Sequence, residues 1–145
     1  MCVEIISNLW IGNFKEIRNK DFYKDKNINF VINCTADLPF LKTMSDCKKI
    51  RYSINDTSSI ENNFLYKLNT KIHNYLSKNL GVLIYCHSGS QCSPMVITSY
   101  LIQYSKINLD NIIQSIQNKY MNAFNQENNF KITLEKYYFF INNLK

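Results

Sequence analysis

Between Val82 and Pro94 the chain reads VLIYCHSGSQCSP. An apolar, strand-forming run gives way to small and polar residues, and Ser93 and Pro94 then suit the cap and first turn of a helix. Loop amides that converge ahead of a helix N-terminus form an anion site, because they and the helix dipole favour negative charge. His87, Ser88, Gly89, Ser90, Gln91 and Cys92 supply that amide run, and Gly89 permits a backbone conformation that other residues avoid. Cys86, closing the strand and facing these amides, is expected to have a lowered pKa and to act as a thiolate. A thiolate facing a bound phosphoryl group is a nucleophile for covalent phosphoryl transfer. Cysteine is also a small buried hydrophobe, and strand–loop–helix units occur throughout α/β proteins. The loop alone therefore fits a phosphate site and a plain core element equally.

The rest of the sequence supplies the elements that must position this loop. VEIISNLWIG reads as two short strands with a turn at Gly12 and Asn13. FKEIRNKDFYK reads as a short helix with Phe14, Ile17 and Phe22 inward, and residues 28–35 as a strand rich in β-branched residues. KKIRYSIND reads as another strand, ending at Asn55 and Asp56. Helical spacing of Phe64, Leu65, Leu68, Ile72, Tyr75 and Leu76 predicts a helix over about residues 59–78. VLIYC shows no alternation, as expected of a central strand covered on both faces. Helices are expected after Pro94, from Asn108 or Asp110 to about Tyr120, and over about residues 128–142. The pattern implies an α/β fold, a central, mostly parallel sheet flanked by helices, in a single domain over residues 1–145.

Composition narrows the functional classes. No apolar run is long enough for a transmembrane helix, and no signal peptide or lipidation motif is evident. Five cysteines with no CxxC pair argue against a disulfide framework and a zinc site; no cofactor or metal is expected, and a reducing, cytoplasmic location fits best. The net charge of +6 permits an anionic partner without selecting one, and the lysines are scattered rather than striped. Only Arg18 and Arg51 are arginines. Richness in Asn, Lys, Ile and Tyr suggests an AT-rich genome.

In that setting the chain resembles the dual-specificity branch of the protein tyrosine phosphatase superfamily, and especially the small poxviral phosphatases. The family signature is His-Cys, five residues, Arg, then Ser or Thr. Here the same frame reads Tyr85, Cys86, His87 to Gln91, Cys92, Ser93. SNLWIGNF, INFVINCT, YSINDTSS and NAFNQENNFKITLEKY resemble further family segments in consistent order. The resemblance implies a dual-specificity phosphatase-like fold, Cys86 as nucleophile, Asp56 as general acid and Ser93 as the hydroxyl that stabilises the thiolate leaving group. It places the phosphate cradle on His87, Ser88, Gly89, Ser90, Gln91 and Cys92. Read without the family, NDTSS is also a good turn and capping sequence, which leaves Asp56 a structural alternative.

Two positions depart from the signature: Cys92 stands at the arginine and Tyr85 at the histidine. A thiol offers neither a permanent charge nor a planar fork for two phosphate oxygens. Both changes are expected to push Cys86 toward the neutral thiol. His87 is expected to point outward, and neither Arg18 nor Arg51 to substitute for the lost charge. Cys86 and Cys92 could form a disulfide across the tight loop, although Cys92 as simple gap-filler is the favoured reading. The expected function is that of a pseudophosphatase acting by binding a phosphoprotein or protein partner, such as an active phosphatase or kinase-pathway component. The alternative is an active protein phosphatase using Cys86 and Asp56. A third, less favoured, is an RNA 5′-phosphatase, because no basic stripe with interleaved aromatics is present. No membrane insertion is expected. The start of the sequence at the first strand leans toward a monomer, in the cytoplasm (of a host, for a viral source).

Overall fold

The computed structural model describes residues 1–54, 60–124 and 130–144. A five-stranded sheet runs in the order β1 (Val3–Ile6), β2 (Leu9–Asn13), β5 (Gly81–Cys86), β3 (Ile28–Asn33) and β4 (Lys48–Arg51). Only β1 and β2 pair antiparallel; β2–β5, β5–β3 and β3–β4 are parallel. The expected α/β fold with a mostly parallel, helix-flanked sheet is what forms.

β5 is the central strand, and every one of its residues is buried. Its side chains divide between the faces. Val82, Ile84 and Cys86 join the larger core against helices α2 (Asn62–Leu76), α3 (Cys92–Tyr104), α4 (Leu109–Lys119) and α5 (Lys131–Asn142). Leu83 and Tyr85 join a smaller core with Ile17, Tyr23, Val31 and Met44. That double burial explains the missing alternation in VLIYC. α3 packs along the sheet with Met95, Val96, Ile97, Tyr100 and Ile102 buried. Asn108 caps α4 through its side-chain oxygen, which accepts the Asn111 amide at 2.9 Å.

Several boundaries differ from the sequence-based expectations. The turn between β1 and β2 falls at Ser7 and Asn8, with Asn8 at φ 69°, a left-handed conformation that asparagine tolerates. Gly12 and Asn13 lie inside β2, where Gly12 admits Cys2: a Cβ there would meet its sulfur at 2.8 Å. FKEIRNKDFYK is not one helix. A 3-10 turn at Glu16–Arg18 and the short α1 (Phe22–Asp25) are separated by extended backbone at Asn19. β3 stops at Asn33 because that side chain turns the chain, its oxygen accepting the Thr35 amide at 3.0 Å. β4 ends at Arg51, and α2 begins at Asn62 with Phe64 half exposed and stacked on Tyr52. Asp56 and the expected starts of the helices at residues 59 and 128 lie outside the described residues.

Candidate active site

Cys86 ends β5, level with Asn13 of β2 on one side and one residue beyond the Asn33–Tyr85 pairing with β3 on the other. Parallel strands deliver their C-terminal ends to one edge, so the loops after β3 and β5 meet there. Between them lies a cavity of about 170 Å³ lined by Cys34, Thr35, Ala36 and Asp37 from the first loop and by Cys86, His87, Ser88, Gln91 and Cys92 from the second, with Ile54 closing one wall. The structure thus brings Cys86, His87, Ser88, Gln91 and Cys92 to one pocket. Gly89 and Ser90 belong to the same loop and Ser93 to α3, and none of the three lines the pocket.

The loop curls around the Cys86 sulfur, toward which the Gly89 amide donates at 3.2 Å. Gly89 adopts φ 74°, the left-handed conformation expected of the loop's only glycine. The loop is anchored at two further points and closed by one bond within itself. The Phe14 amide donates to the His87 carbonyl at 3.4 Å, the Phe124 amide to the Ser90 carbonyl at 2.6 Å, and Ser88 and Ser90 share a hydroxyl–hydroxyl bond at 2.6 Å.

The environment holds the Cys86 thiol well below its ordinary pKa. The neighbouring Cys92 thiol is the largest cause; burial opposes it, and the Ser93 hydroxyl, the Ser93 amide and the Gly89 amide add to it. The same coupling, with burial, raises the Cys92 pKa. The replacements at residues 85 and 92 are expected to push Cys86 toward the neutral thiol, whereas the loop amides and the Cys92 thiol act in the other direction. Cys92, six residues on at the first position of α3, lines the same pocket as Cys86. Cys92 Sγ also approaches the Ile54 carbonyl at 3.9 Å, and both cysteines are free thiols.

Ser93 is not the helix cap that its sequence position suggests. It is the second residue of α3, fully buried, while Gln91 occupies the cap position without a side-chain cap bond. Its hydroxyl has no oxygen or nitrogen partner holding it elsewhere, and it favours the thiolate of Cys86.

His87 points outward, as expected, and its Nε2 meets Asp37 Oδ1 at 2.7 Å at the pocket mouth. That hydrogen bond lowers the Asp37 pKa. Tyr85 projects from the opposite face of the sheet and donates to the Pro39 carbonyl at 3.0 Å; burial pushes its phenol up to about 12. Arg51 is committed elsewhere, with Nη1 on the Thr35 carbonyl at 2.7 Å and Nη2 on the Leu38 carbonyl at 2.8 Å. Arg18 lies over the Phe14 ring at 4.9 Å. Among the described residues lining the pocket, none carries a permanent positive charge. Among the described residues, no group of three or more His, Cys, Asp or Glu is placed to hold a metal ion.

Sequence reasoning missed Cys34, Thr35 and Asp37 as pocket residues. The available signal was the strand order: a strand parallel and adjacent to β5 must place its following loop beside Cys86.

Comparison with known proteins bears on this geometry. The family model described as dual specificity phosphatase, catalytic domain, matches residues 9–139. Dual specificity protein phosphatase 9 of Homo sapiens is 28% identical over 122 residues, covering 83% of this chain and 32% of the relative, so the chain spans about a third of that protein's length. The crystal structure of a mouse putative dual specificity phosphatase complexed with zinc tungstate matches with a TM-score of 0.88 at 19% identity, over 99% of this chain and 89% of that one. The human tyrosine phosphatase-like serine/threonine/tyrosine-interacting protein matches with a TM-score of 0.81 at 15% identity, over 94% of both chains.

Proposed function

Because the chain belongs to the dual specificity phosphatase catalytic-domain family, we propose that it is a catalytically impaired member, a domain that binds a phosphorylated protein and turns it over slowly or not at all. The observation that carries this reading is that Cys92, in the pocket wall, is a thiol, and that no described residue lining the pocket carries a permanent positive charge. The signature places an arginine at that position. A guanidinium would neutralise charge on the transferring phosphoryl group and fork onto two of its oxygens. A thiol is a single weak donor. Loss of one preorganised transition-state donor costs on the order of 10²–10³ in rate, and loss of a charged fork is expected to cost roughly 10³ or more. Arg51 and Arg18 are spent on backbone carbonyls and an aromatic ring. Loop amides and the α3 dipole remain, so anion binding outlasts turnover on this reading. The partner would be a phosphoprotein of a kinase pathway, shielded from, or contested with, an active phosphatase in the cytoplasm.

A second reading has its own observation. The Gly89 amide donates toward the Cys86 sulfur and the Ser93 hydroxyl favours its thiolate, which supports residual phosphatase activity through a phosphocysteine, with Asp56 as acid. Turnover of a small aryl phosphate by the wild-type chain, Cys92→Arg and Cys86→Ser separates the two. The impaired reading expects a silent wild type and Cys86-dependent turnover in Cys92→Arg. Wild-type turnover that Cys86→Ser abolishes would establish the active reading instead.

A further inference from the structure

Helix α5 carries apolar side chains on two faces. Leu134, Tyr137 and Ile141 are buried in the core. On the outward face Ile132 and Phe139 are 67% and 71% exposed, and Leu144, just past the helix, is 58% exposed. A surface helix is ordinarily polar on that side. Single exposed apolar residues need no explanation, but these are grouped. Phe139 and Leu144 line one open groove with Phe140 and with Asn62, the first residue of α2. Tyr66 of α2, also exposed, meets Phe140 edge-on at 6.5 Å. None of these residues lines the pocket around Cys86.

The order of residues along that face says what covers it. Ile132, Glu135, Lys136 and Phe139 follow one another at i, i+3, i+4 and i+7, a single stripe of the helix. The stripe runs apolar, acidic, basic, apolar, so it is complementary to itself in reverse. A second copy laid antiparallel about a two-fold axis between residues 135 and 136 sets Glu135 against Lys136 of that copy. The same operation sets Ile132 against Phe139 of that copy, and each pair occurs twice. Glu135 and Lys136 are exposed and make no ion pair among the described residues. Their methylene stems continue the apolar strip between Ile132 and Phe139.

We propose that the outward face of α5 is the interface of a two-fold symmetric dimer of this chain, with the helices antiparallel and Glu135 paired to Lys136 across the axis. An isologous interface requires a self-complementary patch, which an unrelated partner would not. Two helices of this length bury less than the roughly 1,200 Å² of a standard interface, so the dimer is weak, with a dissociation constant on the order of 10–100 μM. The monomer expected from the start of the sequence gives way to this dimer. The interface is independent of whether Cys86 turns over a substrate.

The test is sedimentation equilibrium of the intact chain from about 5 to about 500 μM, at about 0.15 M salt and with a thiol reductant to exclude disulfide-linked species. The expected result is a monomer–dimer equilibrium. Phe139→Ser should weaken it by at least roughly tenfold. Glu135→Lys and Lys136→Glu should each weaken it by roughly fivefold or more, because each variant then opposes like charges at both pairs. An equimolar mixture of the two charge variants should associate again as a heterodimer, and the double variant Glu135→Lys/Lys136→Glu should restore the wild-type constant. All these side chains are exposed, so the melting temperatures should stay at the wild-type value. A chain that stays monomeric across the range overturns the proposal and leaves the face to a different protein. So does association that Phe139→Ser leaves unchanged, which would place the contact elsewhere. Tighter association in Lys136→Glu would reduce the effect to the net charge of +6, which that change lowers, and overturns the pairing as well. A mixture that fails to recover association overturns the antiparallel register, and the two-fold interface with it.

Discussion

The hydroxyl of Tyr120 occupies the space that a Cβ on Gly89 would need, so the centre of the loop rests directly on a phenol. That phenol is itself fixed, donating to Glu16 Oε1 at 3.0 Å. Glu16 and Asn13 are bound reciprocally, the Asn13 amide to Oε1 at 2.8 Å and the Glu16 amide to Asn13 Oδ1 at 2.9 Å. The loop around Cys86 is therefore braced from the end of β2 through Glu16 and Tyr120. Neither residue was singled out for this role in the sequence.

This contact makes Gly89→Ala a severe change. The methyl group meets Tyr120 and the backbone is held at φ 74°, where a side chain alone costs about 1–2 kcal/mol. A total loss of about 2–3 kcal/mol is expected in urea unfolding, with slower alkylation of Cys86 as the Gly89 amide moves away from it. Tyr120→Phe should rescue part of the loss, because the nearest remaining ring atom is 3.1 Å from the new methyl. Additive effects in the double-mutant cycle would show that the strain lies in the backbone alone.

The loop after β3 is held by a second brace. Asn33 is fully buried; its amide donates to the Leu38 carbonyl at 2.8 Å, and its oxygen accepts from the Thr35 amide at 3.0 Å and hydroxyl at 2.7 Å. Arg51 grips the Thr35 and Leu38 carbonyls. Asn33→Leu should cost about 1–3 kcal/mol, because it strands the Thr35 donors. Arg51→Lys keeps the charge and loses the fork, so a smaller loss, about 1 kcal/mol, is expected. A neutral outcome for Asn33→Leu in urea unfolding would mean that Thr35 finds other partners and that this brace is not what shapes the pocket wall.

Local chemistry made some of this legible and long-range contact hid the rest. The loop was readable because its strand, glycine and helix start are contiguous, and β5 because a strand without alternation has to be covered on both faces. Glycine is the stronger turn signal in the sequence, yet the turn forms at Asn8 and Gly12 serves a close approach by Cys2 instead. The position of Ser93 fits a cap, but the helix begins a residue earlier and buries it. The influence of Cys92 on Cys86 depends on two side chains converging in one pocket, and spacing along the chain does not report that.

Stability should depend on pH with a sign set by these thiols. Cys86 has a depressed folded-state pKa, so between that value and the unfolded value of about 8.5 the native state binds fewer protons than the unfolded one. Its contribution is complete above about pH 8.5 and is lost as pH falls through the folded value. Cys34 and Cys92 are raised, so their contributions are complete below about pH 8.5 and are lost as pH climbs beyond it. The difference in urea-unfolding free energy between wild type and Cys86→Ser should grow with pH up to about 8.5. A difference that stays flat with pH would mean that Cys86 ionises in the fold as it does in the open chain.

The same coupling predicts what Cys92 does for Cys86. Cys92→Ala removes the S–H that contributes most to holding Cys86 down, while leaving the Gly89 amide and Ser93 in place. The Cys86 alkylation midpoint should therefore rise toward the ordinary thiol range, by at least about one pH unit, equivalent to about 1.4 kcal/mol of lost thiolate stabilisation. Cys92→Ser, which restores an O–H donor at the same place, should return most of the shift. The measurement is the rate of iodoacetamide modification against pH, with the Cys86 peptide followed by mass spectrometry. An unchanged midpoint in Cys92→Ala would assign the low pKa to the loop amides and the α3 dipole, leaving Cys92 as filler of the pocket wall.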